Sequence, residues 1–332
     1  MAPDEVISGT MPVKCLIPAA GKGTRMRPLT HTLPKAMLPV AGKPTIFHII
    51  DRAAKAGVQD FVIITGYLRE LMESEILAAY PGLNIEFVEQ KEQLGLGHAI
   101  YMAGSKFSAN DSMLLIYGDT LFEGDIETMM QAKNPVIGVF EVEDPRRFGV
   151  IEKGAGQTIT NLVEKPEKFV SNLAIPGVNY FPSAAELFSA LEHIVKNDIR
   201  TKNEYQATDA FQYMLREKKI VFSWQILSAW DDAGTLEAIL DTNKIILSRR
   251  GAGKMQAIAA DAKVTASDVG QYASVSEGAE ITNSTLINCI VDRGSVVKNC
   301  KLENSLIGRN AVVENVHGTI VVGDDAQLRV QR

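Results

Sequence analysis

Gly21 and Gly23 are followed closely by Arg25, Arg27 and Lys35. From Val13 to Ile50 the chain carries six Lys or Arg and no Asp or Glu, although its net charge is −6. Glycines after a strand let backbone N–H groups approach a phosphate closely. The cations then add charge-assisted hydrogen bonds. Together they suit a polyphosphate. A P-loop needs four residues between its glycine and Gly-Lys-Ser/Thr, and Gly21-Lys22-Gly23-Thr24 has a different spacing. A dinucleotide fingerprint needs a third glycine opening a helix. Met26 stands there, and Pro28 would interrupt the helix. What remains is a long irregular loop, stiffened by Pro28, Pro34 and Pro39, that wraps a nucleotide.

Other residues suit the same chemistry. Gln90 offers a donor and an acceptor for a pyrimidine edge, and the nearby Gly95 and Gly97 allow close backbone approach. Asp119 follows the apolar run Met113–Tyr117. An acid at the carboxyl end of a parallel strand lies where open α/β sheets bind ligands, and Mg²⁺ takes such oxygens together with phosphates. The competing reading is a turn aspartate. Gly149 leaves room for a sugar ring, Glu164 accepts from sugar hydroxyls, and Lys165 pairs with a phosphate. In Trp230-Asp231-Asp232, strand alternation turns only one of the two carboxylates toward a given ion.

These residues must be held by an α/β domain over 13–247, where strand and helix signals alternate. Strands are predicted at Val13–Ile17, Phe61–Ile64, Ile85–Val88, Met113–Tyr117 and Ile220–Leu227. A helix carries Ile46, Ile49, Ile50, Ala53 and Ala54 on one face and ends at Gly57. Others run over Leu68–Ala79, Ser183–Val195 and Leu236–Leu240, and His98 reads as a helix packing residue. Residues 1–12 read as a disordered extension and 248–254 as a linker. Over 255–332, apolar residues recur six apart at Val275, Ile281 and Ile287, at Val291 and Val297, and at Ile307 and Val313. That period predicts a left-handed β-helix of hexapeptide-type repeats, whose coils bury an interior by stacking.

With 332 residues, two domains are expected. A 46% apolar, 22% charged composition is that of a globular chain. There is no run of about 18 apolar residues to span a membrane and no secretory signal. Cys15, Cys289 and Cys300 lack metal spacing and read as reduced thiols of a cytoplasmic protein. Net acidity without a basic tail argues against nucleic acid.

Gly21-x-Gly-Thr-Arg25, then Pro28-Leu-Thr, Pro34-Lys35 and Leu38-Pro39, closely resembles the signature of the sugar-1-phosphate nucleotidylyltransferases. From about residue 13 onward the chain is similar to their long-form glucose-1-phosphate thymidylyltransferases. The resemblance implies a Rossmann-like nucleotidyltransferase domain with a mixed sheet. It places Ala19, Ala20, Gly21, Gly23, Gln90 and Gly95 against the nucleotide. Gly149, Glu164, Lys165, Asn179 and Lys202 fall to the sugar phosphate, with lysine at 202 where the family often has arginine. Arg25, Lys35 and Lys165 become catalytic, and family spacing selects Asp119 and Asp232 to hold Mg²⁺. The partners implied are a nucleoside triphosphate, with dTTP favoured, and a sugar 1-phosphate, with glucose 1-phosphate favoured, in a homo-oligomer. AGKGTRM and EQLGLGHA also resemble bifunctional uridylyltransferases for N-acetylglucosamine 1-phosphate, so uridylyl transfer stays open. So does a catalytically silent regulatory homologue. An acyltransferase is disfavoured, because the tail offers only His317 as a base.

Overall fold

The computed structural model describes residues 13–250 and 255–331. The expected extension 1–12 and residues 251–254 of the expected linker lie outside the described residues.

The core begins with β1 (Val13–Pro18), β2 (Asp60–Thr65), β3 (Asn84–Glu89) and β4 (Ser112–Ile116). They are parallel, in spatial order β4-β1-β2-β3. Cys15, Ile17, Phe61 and Ile63 bury one face, while Leu16, Val62, Ile64 and Leu115 bury the other. Burial on both faces explains why β2 and β4 read as unbroken apolar runs, whereas β3 at the sheet edge alternates with exposed Asn84 and Glu86. The crossovers carry α1 (Thr45–Lys55), α2 (Arg69–Ala79) and α3 (Leu96–Met102). α1 buries Ile46, Ile49, Ile50 and Ala53, as its periodicity predicts.

Beyond β4 come β5 (Thr120–Glu123), β6 (Val136–Glu141), β7 (Gly149–Lys153), β8 (Ile159–Glu164), β9 (Leu173–Ala174) and β10 (Val178–Phe181). β10 pairs antiparallel with both β4 and β6, so the sheet is mixed. It is prolonged past β6 by β9, β7 and β8. Two helices follow: α4 (Ala184–Lys196), capped by the Ser183 hydroxyl, and α5 (Ala207–Arg216). β11 (Ser223–Ile226) joins β6 in parallel, and β12 (Ala229–Asp232) pairs antiparallel with β5. α6 (Leu236–Ser248) runs one residue into the segment read as linker, with Leu247 fully buried.

The tail is the β-helix, with a shorter coil than a hexad repeat requires. Ile281 pairs with Val297 and Val297 with Val313, a register of 16 residues rather than 18. The interior row is Val275, Ile281, Leu286, Val291, Val297, Leu302, Ile307 and Val313, all buried. Ile287, expected inside, is 41% exposed, and Leu286 takes its place. The cause lies at the corners. Asn283, Asn288, Asn299, Asn304 and Asn315 have φ between 47° and 58°, a region asparagine tolerates. Such a residue turns the chain in a single step, so two sides of each coil close with one residue fewer. The corner amides stack, with Asn283 donating to Asn299 at 2.8 Å and Asn288 to Asn304 at 2.7 Å.

The β-helix docks on the first domain through outward residues. Ile290 and Leu306 share a core cluster with Leu29, Leu38 and Ile239. Asn243 of α6, fully buried, pins the seam: its Oδ1 accepts from Ala41 N at 2.8 Å and Ser274 Oγ at 2.7 Å, and its Nδ2 donates to Tyr272 O at 2.7 Å.

Candidate active site

The glycine-rich loop leaves β1 where β2 lies on one side and β4 on the other. This is the switch point at which open α/β sheets bind ligands. Ala19 N donates to Ile64 O at 2.8 Å and Gly118 N to Pro18 O at 3.0 Å, so both neighbouring strand ends fix the loop's root. The loop folds as three single turns, Thr24–Met26, Leu29–His31 and Lys35–Met37. Gly23 has φ +60°, and a Cβ there would lie 2.9 Å from Lys35 Cβ. Glycine thus lets the loop close over the lysine. Thr30 Oγ1 donates to Gly23 O at 2.7 Å and holds that closure. Lys35 Nζ pairs with the Asp119 carboxylate.

The cleft has two contiguous hollows. The first is lined by Ala19, Ala20, Gly21, Gly23, Arg25, Lys35, Gln90, Gly95 and Asp119. These are all the residues expected at the nucleotide, with two of the expected catalytic cations and one expected metal ligand. Gln90 is buried, and its Nε2 donates to Gly95 O at 3.2 Å and lies 3.4 Å from His98 Nδ1. His98 also stacks near Tyr205. Burial lowers its pKa, with Arg200 adding to the effect, so His98 packs the base segment as a neutral ring. Gly95 has φ +109°, and a Cβ there would fall 2.6 Å from Tyr205 O.

The second hollow is lined by Gly149, Glu164 and Lys165, with Arg146, Arg147, Phe148, Thr208 and Trp230. β7 and β8 pair so that Glu164 faces Gly149, and Lys165 N donates to Phe148 O at 3.0 Å. A Cβ on Gly149 would sit 2.8 Å from Thr208 Oγ1 and 3.0 Å from Glu164 Oε2, filling the space. Glu164 accepts from Thr208 Oγ1 at 2.8 Å and lies 3.4 Å from Lys165 Nζ. The Phe148 and Trp230 rings meet edge to face at 4.9 Å as an apolar wall. Arg25, Leu96, Tyr117, Asp119 and Glu204 line both hollows. Tyr117 is kept protonated by burial, reinforced by the Glu164 and Asp119 charges, so its hydroxyl remains a donor.

Two expected sugar residues lie apart from this lining. Lys202 is exposed, in a left-handed turn, and donates to Glu167 at 3.2 Å. The cations lining the hollow on that side include, besides Lys165, Arg146, held by Asp144 through two bonds of 2.8 Å, and Arg147. Asn179 is fully buried on β10, and neither its amide nitrogen nor its oxygen has a partner. A buried unpaired carboxamide is costly unless a ligand or water satisfies it. Asp232 pairs through its backbone with Thr120 at the start of β5, directly after Asp119 in the preceding turn, which brings the backbones of the two positions expected to hold a metal near one another. No cluster of three or more His, Cys, Asp or Glu suited to a metal occurs among the described residues. A two-carboxylate site completed by phosphates needs no such cluster.

The family model described as Nucleotidyl transferase matches residues 14–249. The chain belongs to the nucleotidyl transferase family. Among curated relatives, the Bifunctional protein GlmU of Methanocaldococcus jannaschii is 36% identical over 70% of this chain and 54% of its own length. The chain thus spans about half the length of that relative. The UTP--glucose-1-phosphate uridylyltransferase of Staphylococcus epidermidis is 35% identical over 62% of this chain and 83% of its own. The Glucose-1-phosphate thymidylyltransferase of Streptomyces antibioticus is 30% identical over 83% of this chain and 76% of its own. A solved UDP-glucose pyrophosphorylase in complex with UDP-glucose superposes with TM-score 0.62 and 28% identity, covering 72% of this chain and all of that one. In this family member the sequence motifs point to the glycines, the loop cations and Asp119, whereas Tyr117, Thr208, Glu204 and the Arg146–Arg147 pair lie outside those motifs. Arg146-Arg147 stands directly before Phe148-Gly149, and that adjacency was the available signal.

Proposed function

We propose that this protein transfers a nucleotidyl group from a nucleoside triphosphate to a sugar 1-phosphate and releases pyrophosphate. The observation that carries this reading is the sharing of Arg25, Tyr117 and Asp119 by the two hollows, so that a nucleotide in one and a sugar phosphate in the other would meet at these residues. A sugar phosphate oxygen attacks the α-phosphorus in line. The bond from that phosphorus to the bridging oxygen breaks, and pyrophosphate leaves with the electron pair. The nucleophile is already an anion, so no general base or protein nucleophile is required. The difficulty is juxtaposing two polyanions, and positioned cations answer it. Arg25, exposed and without an ion-pair partner among the described residues, meets the leaving pyrophosphate. Lys35 holds the nucleotide phosphates, and Lys165 orients the sugar phosphate, supported by Arg146 and Arg147. Glu164, braced by Thr208, accepts from a sugar hydroxyl. Mg²⁺ held by Asp119 and Asp232 would neutralise phosphate charge.

Thymidylyl transfer to glucose 1-phosphate is the favoured pairing. The match to the Streptomyces thymidylyltransferase covers 83% of the chain, more than residues 14–249 alone provide, so it enters the β-helix. Uridylyl transfer is the second reading, supported by the staphylococcal relative and by the pyrophosphorylase bound to UDP-glucose. Product formation across five nucleoside triphosphates and the 1-phosphates of glucose, galactose, mannose and N-acetylglucosamine tests the pairing. dTDP-glucose as the dominant product supports the first reading. UDP-glucose or UDP-N-acetylglucosamine replaces it, and no nucleotide sugar from any pair refutes the reaction itself.

A further inference from the structure

We propose that the β-helix is part of the catalytic apparatus: its last described coil positions the phosphate loop, with Asp324 as the positioning residue. This rests on the nucleotidyl transfer proposed above. The loop's underside lies on the β-helix. Leu29 and Leu38 are buried in one cluster with Ile290 and Leu306. At its edge, Thr32 Oγ1 donates to Asp324 Oδ2 at 2.6 Å. The other oxygen of Asp324 accepts from Arg309 N at 2.8 Å, so the carboxylate is fixed from the coil below. Gly323 comes so close to Pro28 that a Cβ there would lie 3.2 Å from Pro28 Cβ. Arg309 in turn donates to Glu75 on α2 at 2.7 Å, which anchors this coil to the first domain independently of the loop.

The contact matters for chemistry because of where it sits. Thr32 lies between Thr30, which closes Gly23 over Lys35, and Lys35 itself. Within the loop each of the three turns is closed locally, by Met26 N to Gly23 O, His31 N to Pro28 O and Met37 N to Pro34 O, and Tyr67 OH donates to His31 O from outside, so the placing of the turns relative to one another rests on contacts such as Thr32–Asp324. Positions of reacting groups nonetheless need sub-ångström definition, and small displacements are expensive in rate. Asp324 touches no substrate-facing residue, so its effect passes through Thr32.

The test compares Asp324→Ala, Asp324→Asn, Thr32→Val and the double variant Thr32→Val/Asp324→Ala with the full chain. Hydrogen exchange is followed over residues 22–37, and initial rates are measured against nucleoside triphosphate and sugar 1-phosphate separately. Loss of the Thr32–Asp324 hydrogen bond, which Thr32→Val removes alone and Asp324→Ala removes together with the bond from Arg309 N, predicts a fall of about three- to tenfold in kcat/KM for the nucleotide. Faster exchange of the loop amides should accompany it, while the KM for sugar 1-phosphate stays unchanged. Asp324→Asn, which keeps an acceptor and can donate to the hydroxyl, should recover most of the loss. The double variant should be no worse than either single one. Unchanged loop exchange in Asp324→Ala overturns the proposal. So does faster exchange with undiminished kcat/KM, or additive losses in the double variant. If the unsubstituted protein transfers no nucleotide to any sugar phosphate, the proposed activity fails, and the exchange arm still decides whether Asp324 holds the loop.

Discussion

Arg25 is the group on which the chemistry leans most. It is exposed, lines both hollows and carries no competing ion pair among the described residues, so its charge is available to pyrophosphate. Replacing it with alanine should lower kcat by roughly 10²–10³, as removal of a preorganised transition-state donor does elsewhere, with the fold intact by circular dichroism. Steady-state kinetics checks this. Gly95→Ala makes a different prediction. Its φ of +109° and the 2.6 Å approach to Tyr205 O leave no room for a methyl group, so the base segment must shift. The KM for nucleotide should rise at least about tenfold, since strain of a few kcal/mol falls on the binding loop, while the KM for sugar 1-phosphate changes little. The glycines and loop cations were legible in the sequence because they are neighbours in one segment. Tyr117, Glu204 and Thr208 were not, since Tyr117 comes from the end of β4, while Glu204 and Thr208 flank the start of α5, far along the chain from the loop glycines. Lys202 was assigned by alignment to a motif, yet its own left-handed turn carries it to Glu167.

The sheet positions the site by bringing the ends of β1 and β4 together, and α1 braces the far end of the phosphate loop. His48 on α1 donates from Nε2 to Val40 O at 2.8 Å. Burial lowers its pKa from 6.5 to about 4, and Lys43 and Arg250 push the same way against Val40 O and Asp51. Between these values the unfolded chain binds a proton that the native helix does not. Stability is therefore lost as pH falls from about 6.5 toward 4 and is fully present above that window. Thermal melts from pH 7.5 to 4.5 should show a steeper decline for the natural protein than for His48→Gln, which keeps a donor without the titration. Parallel slopes would remove His48 from the account. Strand positions were readable from apolar patterning to within one residue at the first four strands. β11 is shorter than the predicted Ile220–Leu227, because only Ser223–Ile226 finds a partner in β6. A pairing partner is not a property of the local sequence.

The two domains meet over a seam of apolar side chains, the Asn243 pin and the Arg309–Glu75 pair, so the β-helix and the phosphate loop are parts of one packed body. Its interior rows follow the 16-residue coil, which separates two adjacent residues energetically. Leu286→Ala should cost about 2–5 kcal/mol, the range for a fully buried leucine. Ile287→Ala, at an exposed position, should stay within about 0.5 kcal/mol. Chemical denaturation of both variants reads the register directly, and reversed costs would restore the strict six-residue repeat. The sequence carried the β-helix itself, since apolar residues recur at nearly regular intervals. It concealed the coil length, because the shortening lies in asparagine corners that look like ordinary polar filler. The most direct test of the account supplies a nucleoside triphosphate labelled at the α-phosphate, with and without sugar 1-phosphate, and quantifies pyrophosphate and labelled nucleotide sugar. Direct in-line transfer predicts equal amounts of both, only when both substrates are present, and a loss of each together in Arg25→Ala. Pyrophosphate release, or label retained on the protein, without sugar 1-phosphate would contradict it.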